Sequence, residues 1–274
     1  MVRKFAGKGA FLAVNLMMAL AIVVPLLYCV SVSFMTEPEL FSYPPAFLPQ
    51  RLQLGNYFSA LAFAPIFRFI LNSLVVAAAC TAGQLFFGAL AGYAFAMHEF
   101  PGKRALFLLM LSTMMIPGQA IILANYLTIA NLHLTDSYPA LILPYLTSAF
   151  CLFSMRQAFL KLPGELYESA ALDGCGSMTF FLRIGLPLVK PQLGSLGVYT
   201  FLSIWNQYLW PLLVTNKTET RTVQIGIGML QNSDGNAYGP IMAGVTMVLI
   251  PSILVFLVGQ KSLISGLTAG ALKG

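Results

Sequence analysis

Amide side chains inside long apolar stretches are the polar groups of this sequence with the clearest chemical use. A polar group within hydrocarbon is costly unless it faces protein or water, and an amide can both donate and accept hydrogen bonds. These residues therefore suit a path for a hydroxyl-rich solute such as a sugar, although hydrogen bonds between helices would use the same groups. The residues are Gln84, Gln119, Asn125, Asn206 and Gln207.

A different pattern occupies the connection 156–190, which is long, since most links between bundle helices have about two to eight residues. Pro163 suits the first turn of a helix, and the charges of Glu165 and Glu168 complement its positive end. Gly174 can take the left-handed conformation that ends a helix. The spacing of the apolar residues between them predicts a short amphipathic helix.

A second short helix is predicted in the same connection. Ser177 can cap it, the pattern continues over 178–186, and Pro187 would end it. Two amphipathic helices outside the membrane are suited to dock into another protein. The alternative is a linker that lies on the bilayer surface, and the spacing alone leaves both interpretations open.

Motifs of hydrolysis and metal catalysis are missing from the sequence. It has no GxxxxGK[ST] phosphate loop, no HExxH and no GxSxG, so the chain cannot cradle ATP in the way that such a loop does. His98 and His133 are interpreted as interfacial polar residues. The four cysteines show no CxxC spacing and are expected to be small apolar filler. We therefore expect a non-catalytic chain without cofactor or metal.

The composition places most of the chain in lipid. Of its 274 residues 58% are hydrophobic and 9% are charged, and the mean hydropathy is +0.80. A soluble domain has about a quarter charged residues and needs them to cover its core. The net charge of +6 is interpreted as a signal of membrane topology, and no nucleic-acid partner is expected.

Six intervals without Asp, Glu, Lys or Arg predict six transmembrane helices in an all-α chain, because each supplies the roughly 20 apolar residues that a span needs. The first is too long for a cleaved signal peptide. Pro117 and Pro144 are expected to kink their spans. Trp205 and Trp210 are expected in the aromatic belt at the membrane interface. The intervals are 9–36, 69–98, 105–135, 137–155, 191–216 and 235–260.

Basic residues in the connections predict the orientation. With six spans, Arg51, Arg68, Lys217 and Arg221 fall on one side, and the other eleven of the fifteen Lys and Arg fall on the side of both termini. Cytoplasmic loops carry the excess of Lys and Arg. Both termini and the connection 156–190 are therefore expected in the cytoplasm.

The connection 156–190 also contains a recognisable motif. Glu168-Ser169-Ala170-Ala171-Leu172-Asp173-Gly174 is followed by Ile184-Gly185-Leu186-Pro187, with nine residues between Gly174 and Ile184. This pattern resembles the cytoplasmic "EAA" loop of permease subunits of ATP-binding-cassette (ABC) importers, which reads E-A-A-x-x-x-G and then I-x-L-P. Ser169 is the one departure, and it replaces a small residue by a small residue.

Strings elsewhere resemble the carbohydrate-uptake branch of these permeases, the relatives of the maltose permease. The segment 205–213 is most similar to sn-glycerol-3-phosphate permeases, and permeases for arabinose oligomers and multiple sugars carry similar strings. The resemblance covers nearly the whole chain and is weakest in the external loops. The strings are Asn72-Ser73-Leu74, Ala91-Gly92-Tyr93-Ala94-Phe95-Ala96, Met115-Ile116-Pro117, Leu141-Ile142-Leu143-Pro144, Trp205-Asn206-Gln207 and the ending 266–274.

The resemblance implies a type I ABC-importer fold and a set of partners. These are a second homologous permease, two ATPase subunits that seat the cytoplasmic loops, and an extracytoplasmic solute-binding protein. The external loop 215–239 would reach toward the binding protein, and the tail 261–274 would touch the ATPases. The implied coupling residues are Glu168, Ser169, Ala170, Ala171, Asp173, Gly174, Ile184, Leu186 and Pro187.

The expected organisation is a single membrane subunit of the bacterial cytoplasmic (inner) membrane. Residues 1–67 would hold the N-terminus, the first span and an external loop, 68–260 the transmembrane core, and 261–274 the cytoplasmic tail. The expected solute is sn-glycerol 3-phosphate or an oligosaccharide, on a path formed by Asn206, Gln207, Gln119 and Gln84. Two alternatives are an ABC importer of amino acids or ions, and an ion-coupled secondary transporter. The second would need intramembrane carboxylates, and the six intervals contain none.

Overall fold

The computed structural model describes residues 2–231 and 238–268, and every regular element among these residues is a helix, as the sequence predicts. A short 3-10 turn, Leu143–Tyr145, follows α7, and a π-helical turn, Phe181–Gly185, separates α10 from α11. The α-helices are α1 (Val2–Val32), α2 (Glu37–Leu40), α3 (Gly55–Phe63), α4 (Ile66–Met97), α5 (Lys103–Thr113), α6 (Gly118–Asn131), α7 (Tyr138–Ile142), α8 (Ala149–Phe159), α9 (Gly164–Leu172), α10 (Ser177–Phe180), α11 (Leu186–Leu188), α12 (Lys190–Trp205), α13 (Leu209–Val214), α14 (Val223–Gln231) and α15 (Tyr238–Thr268).

The described residues contain three helices that are long and apolar enough to cross a membrane: Phe11–Val32, Ile66–Met97 and Tyr238–Ser262. Two further candidates are bent pairs, α5 with α6 at 97° and α7 with α8 at 45°. The interval 191–216 is divided between α12 and α13, which have 16 and 6 residues. Three to five spans are thus identified in this part of the chain, and the number six stays a prediction.

The bends lie where the sequence places Pro117 and Pro144. Pro117 is extended, with φ −58° and ψ 131°, and directly precedes α6, so the helix α5 stops and a new one begins. Pro144 lies in the 3-10 turn that ends the first half of the next pair. The second half starts at Ser148, whose hydroxyl oxygen accepts a hydrogen bond from the Cys151 backbone N–H. Proline lacks the N–H that a continuous helix needs, which explains both breaks.

The chain forms two compact units, of which one comprises Met1–Phe67 and Gly226–Pro251. Within it, the amide of Asn56 donates to the carbonyl oxygens of Ser33 and Met35 at 3.0 and 2.8 Å. The hydroxyls of Ser33 and Tyr57 lie 2.8 Å apart. These bonds attach the buried Asn56 on α3 to the turn that follows α1. The 11–32 segment of α1 leaves its apolar side chains largely exposed in this chain.

The other unit comprises Arg68–Ile225 and Ser252–Gly274 and contains the predicted site residues. Its helices α4 and α8 pack closely because α4 presents glycines to α8. A Cβ atom at Gly88 would lie 2.9 Å from the Cβ of Cys151, and one at Gly92 would lie 2.7 Å from the Cβ of Met155. Contacts that short do not occur between real side chains, so only glycine allows this approach of the two backbones.

Both tryptophans lie inside this unit, and the prediction of an interfacial aromatic belt is wrong for them. Trp205 is 1% and Trp210 is 2% exposed. The Trp210 indole N–H donates to the carbonyl oxygen of Ala140 at 3.1 Å, which satisfies its one donor. Trp210 packs in a cluster with residues of α4, α6, α7 and α12, namely Val76, Ala77, Cys80, Ile129, Ala140, Leu141, Ile204 and Val214.

Candidate functional site

The first helix of the predicted coupling loop, α9, begins after Pro163, which precedes the helix instead of lying in its first turn. Leu166 and Tyr167 are half-buried, and Ala170 is 9% exposed. They pack on a core that includes Phe159 and Phe180. The opposite side of the helix is exposed: it carries Glu168, Ser169, Ala171, Leu172 and Asp173.

Ser169, the departure from the family pattern, is accommodated by its own helix. Its hydroxyl donates to the carbonyl oxygen of Glu165 at 2.7 Å, four residues earlier. A serine that bonds to its own helix leaves no unsatisfied donor on the exposed surface. The Ser169 hydroxyl is therefore satisfied within α9.

Gly174 ends α9 in the left-handed conformation that the sequence predicts, with φ +78°. The Gly174 N–H donates to the carbonyl oxygen of Ala171 at 3.0 Å, and the Cys175 N–H donates to that of Ala170 at 2.9 Å. This pair of bonds is the Schellman motif, which satisfies the last carbonyls of a helix. A Cβ atom at Gly174 would meet nothing within 4 Å, so the constraint there is the backbone conformation and not space.

The second helix of the loop differs from the prediction at both ends. Gly176, and not Ser177, is its N-terminal flanking residue, and the helical path continues past Pro187 to Leu188. The π-helical turn Phe181–Gly185 lies immediately before α11, the short helix that contains Pro187. A wider turn can accommodate a proline ring that in a regular α-helix would clash with the carbonyl four residues earlier. Within this segment Ile184 and Leu186 are half-buried against the same core, and Pro187 is exposed.

Two contacts that the sequence did not predict tie this loop to the end of α4. The Tyr93 hydroxyl donates to the carbonyl oxygen of Ser177 at 3.0 Å. The Ser177 hydroxyl lies 2.8 Å from Nε2 of His98, a residue interpreted from the sequence as merely interfacial. The string 91–96, which resembles the carbohydrate branch, was the one signal that pointed to Tyr93.

A pair of neighbouring cavities collects three of the four predicted path residues. The larger, of about 290 Å³, is lined by Gln119, Asn125 and Gln207 among others. The smaller, of about 230 Å³, is lined by Gln84 and Gln207. Gln207 and Tyr145 belong to both linings. The remaining lining residues are Gly118, Ile121, Ile122, Pro144, Tyr208, Leu209 and Trp210 in the larger cavity, and Thr147, Ser148, Phe150, Tyr199, Thr200, Ser203 and Ile204 in the smaller.

The breaks in three helical segments meet at these cavities. Gly118 follows the break between α5 and α6, Tyr145 and Thr147 flank the end of the 3-10 turn before α8, and Gln207 lies between α12 and α13. Irregular backbone at membrane depth is tolerated where it is buried in protein or lines a water-filled cavity. The three breaks thus lie at the place where the amides converge.

Gln84 serves both interpretations that the sequence left open. It is 8% exposed, and its Nε2 donates to the carbonyl oxygen of Tyr145 at 2.8 Å, so it links α4 to the irregular segment before α8. Its side chain also lines the smaller cavity. Asn206, in contrast, does not belong to either lining. Its Nδ2 donates to Leu202 O at 2.8 Å, and its Oδ1 accepts from Gln224 at 3.3 Å.

The chemistry of the cavity lining is amide, hydroxyl and aromatic. Among the described residues that line the two cavities there is no Asp, Glu, Lys or Arg. Amides and hydroxyls donate and accept hydrogen bonds, and aromatic rings provide flat apolar surfaces. This set of groups can bind polar, uncharged ligands and can solvate them as they pass. Within the described residues no cluster of His, Cys, Asp and Glu that could hold a metal ion is found.

The start of the predicted external loop 215–239 is held by side chains of α4, one of which also contacts Tyr138, the first residue of α7. The amide of Asn72 donates to the carbonyl oxygens of Glu219 and Arg221, both at 2.8 Å, and accepts from the Tyr138 hydroxyl at 2.7 Å. The Val223 N–H donates to the Ser73 hydroxyl oxygen at 2.9 Å. Residues 232–237 of this loop and residues 269–274 of the predicted tail lie outside the described residues.

The sequence and the fold were compared with known proteins. Residues 84–267 match the family described as binding-protein-dependent transport system inner membrane component. The chain is 39% identical over 227 residues to the arabinooligosaccharides transport system permease protein AraQ of Bacillus subtilis (strain 168), covering 82% of this chain and 81% of that protein. It is 34% identical over 261 residues to the sn-glycerol-3-phosphate transport system permease protein UgpE of Escherichia coli O6:K15:H31, covering 92% and 93%.

A solved structure shares the fold. One chain in the crystal structure of a bacterial ABC transporter involved in the import of the acidic polysaccharide alginate superimposes with a TM-score of 0.82 at 22% identity. The superposition covers 92% of this chain and 95% of that chain. At this identity the similarity establishes the fold alone.

Proposed function

This chain belongs to the binding-protein-dependent transport system inner membrane components, the permease subunits of ABC importers, and we propose that it forms one half of a path for a neutral, hydroxyl-rich solute such as an oligosaccharide. The observation that carries the proposal is the convergence of Gln84, Gln119 and Gln207 on cavities at three helix breaks. Amides at such breaks can exchange hydrogen bonds with successive hydroxyls of a sugar.

The relatives narrow the solute to two kinds. AraQ is named for arabino-oligosaccharides and UgpE for sn-glycerol 3-phosphate. The amide, hydroxyl and aromatic groups of the lining favour the neutral oligosaccharide. A phosphate ester is normally held by Arg or Lys, which form strong charge-assisted bonds with it. We therefore propose an oligosaccharide of the arabinose type as the solute.

The second part of the proposal is a six-span topology of the type I importer fold. The 16 residues of α12 correspond to about 24 Å of helix and the six of α13 to about 9 Å, so the two helices would cover the hydrocarbon if they follow one another along the membrane normal. With six spans both termini lie in the cytoplasm, the loop 156–190 faces the cytoplasm, and the loop 215–239 faces outward. The excess of Lys and Arg on the cytoplasmic side supports this orientation.

The third part is the coupling of transport to ATP hydrolysis in partner subunits. We propose that the exposed side of α9, with Glu168, Ala171 and Asp173, docks into one of two ATPase subunits. Ala170, Ile184 and Leu186 hold the loop onto the permease, and Gly174 sets the angle between the two loop helices. Closure of the ATPase pair would displace the loop, and a second permease would complete the path. A solute-binding protein would deliver the sugar at the external loop, and the tail 261–274 would touch the ATPases.

Reconstitution tests the proposal directly. The chain, its partner permease, the ATPases and the binding protein are placed in liposomes, and uptake of labelled arabinotriose is measured with and without ATP. We expect ATP-dependent uptake that neither sn-glycerol 3-phosphate nor an amino-acid mixture inhibits. Inhibition by sn-glycerol 3-phosphate alone would reverse the assignment of the solute. Uptake of amino acids would reject the carbohydrate class, and uptake driven by a proton gradient without ATP would reject the importer mechanism.

A further inference from the structure

The C-terminal end of α4 contacts the predicted coupling loop at two places. At the start of the loop, Nε of Arg156 donates to the carbonyl oxygen of Phe95 at 3.2 Å. Near its middle, the Tyr93 hydroxyl donates to the carbonyl oxygen of Ser177 at 3.0 Å and lies 3.1 Å from the Ser177 hydroxyl. Ser177 is the first residue of α10, so the second loop helix begins at this anchor.

His98 completes a chain of three polar groups. Its Nε2 atom lies 2.8 Å from the Ser177 hydroxyl, which therefore contacts both His98 and Tyr93. The His98 backbone N–H donates to the carbonyl oxygen of Ala94 at 3.1 Å, so the residue continues the path of α4. Two side chains at one helix end thus contact a single serine of the loop.

Aromatic rings surround the contacts of Ser177 with Tyr93 and His98. Tyr93 is 5% exposed, and its ring centroid lies 5.0 Å from that of Phe181 and 5.4 Å from that of Phe159. Phe181 opens the π-helical turn of the loop, and Phe159 ends α8. The His98 ring lies 5.3 Å from the Tyr93 ring and edge-on to it. Hydrogen bonds in such low-dielectric surroundings are stronger than in water, and an unpaired partner costs more.

The same helix reaches the proposed solute path. Gln84, which lines the smaller cavity, lies on α4 nine positions before Tyr93, a distance of about 14 Å along the helix axis. The helix α4 thus carries Gln84 at the cavity and Tyr93 against the loop, and His98, which also contacts the loop, directly follows the helix. An α-helix transmits an axial displacement over this length with little deformation, because all its backbone bonds are internal.

We infer that Tyr93 and His98 are positioning residues that fasten the coupling loop to α4, so that displacement of the loop by the ATPases moves the Gln84 end of α4 with it. This inference rests on the proposed function, because it assumes that the loop docks on an ATPase. Neither residue belongs to the lining of the two cavities. Their role is to convert movement of Ser177 into movement of α4.

Hydrogen–deuterium exchange on the purified chain tests, without any transport, whether these contacts fasten the loop to α4. We expect Tyr93→Phe and Ser177→Ala each to accelerate exchange of the segment 175–188 by about three- to tenfold, the effect of losing one hydrogen bond. Ser112→Ala is the matched control, since the Ser112 hydroxyl donates to Leu109 O within its own helix. Unchanged exchange in both variants would overturn the inference. The double variant should exceed either single one, because Ser177→Ala keeps the carbonyl oxygen that accepts from Tyr93, and Tyr93→Phe keeps the contact of Ser177 with His98.

The assembled transporter tests whether displacement of the loop moves α4. In complexes that retain their ATPases, we expect Tyr93→Phe, Ser177→Ala and His98→Ala to raise the number of ATP molecules hydrolysed per arabinotriose taken up by about three- to tenfold. His98→Gln should restore part of the coupling because its amide can reach a hydroxyl. Normal coupling despite faster exchange, or loss of the ATPase on purification, would overturn the inference that α4 moves with the loop. If the unaltered complex takes up no arabinotriose, the proposed solute is wrong, while the exchange experiment still tests whether Tyr93 and His98 fasten the loop to α4.

Discussion

Asn206 and Gln207 are adjacent in the sequence, yet only Gln207 lines the two cavities, whereas the amide of Asn206 bonds to Leu202 and Gln224. The difference arises because α12 ends at Trp205. Asn206 still bonds back to the helix, and Gln207 lies in the irregular segment before α13. Two neighbouring amides thus have separate roles.

This contrast predicts different transport phenotypes. Gln207→Ala should lower kcat/KM for arabinotriose uptake by about tenfold, because one amide contributes one or two hydrogen bonds to a passing sugar. Asn206→Ala should lower it by no more than about twofold. Gln260→Ala is a further control, since its amide bonds to Leu257 within its own helix. Equal defects in the two neighbouring variants would argue against this cavity as the path.

Gly174 and Gly176 provide a matched pair in the predicted coupling loop. At both positions a Cβ atom would meet nothing within 4 Å, but only Gly174 has a positive φ. Gly174→Val should cost about 1–3 kcal/mol of backbone strain and reduce copurification of the ATPases or solute-stimulated ATP hydrolysis, while Gly176→Val should be mild. Membrane insertion should be normal in both. If both variants couple like the unaltered chain, the loop is not the coupling element.

The close approach of α4 and α8 predicts a stability effect at Gly92. A Cβ atom there would lie 2.8 Å from the backbone nitrogen of Arg156, which cannot move as a side chain can. Gly92→Ala should therefore destabilise the chain by about 1–3 kcal/mol. Gly197→Ala is the control, because its nearest neighbour is a flexible leucine atom at 3.4 Å. Thermal unfolding in detergent would show the difference, and equal midpoints would mean that the helices separate more easily than the packing implies.

The contacts of Asp136 predict that the stability of the predicted external loop 215–239 depends on pH. Its carboxylate accepts a hydrogen bond from the Lys217 backbone N–H at 2.8 Å and another from Asn216. The Lys217 bond is the main cause that holds the pKa of Asp136 below its ordinary value. A depressed carboxyl pKa stabilises the folded loop above the unfolded pKa, about 3.9, and this contribution is lost as the pH falls through the folded pKa.

Amide exchange at Asn216 and Lys217 measures this effect. Exchange there, corrected for the intrinsic pH dependence, should accelerate below about pH 4. Asp136→Asn should accelerate it at pH 7 by only about two- to fivefold, because the site is solvent-screened. Asparagine tolerates the left-handed backbone of this position, with φ 58°, so the variant isolates the charge. Glu219→Gln, a charge change in the same loop, should leave both amides unaffected, and an equal effect would reduce the role of Asp136 to general electrostatics.

The six-span topology predicts the sides of two positions. A periplasm-active reporter fused after Gly274 should be inactive, and the same reporter inserted after Thr218 should be active. The reason is the excess of Lys and Arg in the connections assigned to the cytoplasm. An active reporter after Gly274 would contradict the orientation. Activity at both positions would mean an even number of spans between them and would contradict α15 as the one span that separates them.

Some features follow from the sequence because their causes act within a few residues. The length of the charge-free intervals predicts helices in lipid, since hydrocarbon leaves no other way to satisfy the backbone. The left-handed φ of Gly174 follows from the need to end α9, and the breaks after Pro117 and Pro144 follow from the missing proline N–H groups. The family pattern around Glu168 is likewise local, and the match to the family model agrees with it.

Other features depend on packing between residues far apart in the chain. The bond from Gln84 to Tyr145 joins residues 61 positions apart, and that from Tyr93 to Ser177 joins residues 84 apart. Composition and periodicity state which face of a helix is apolar, but not which turn of another helix it meets. That choice is made by shape, for example by the glycines that bring α4 against α8, and it placed Gln207 at the cavities, Asn206 beside Gln224 and His98 beside Ser177 of the predicted coupling loop.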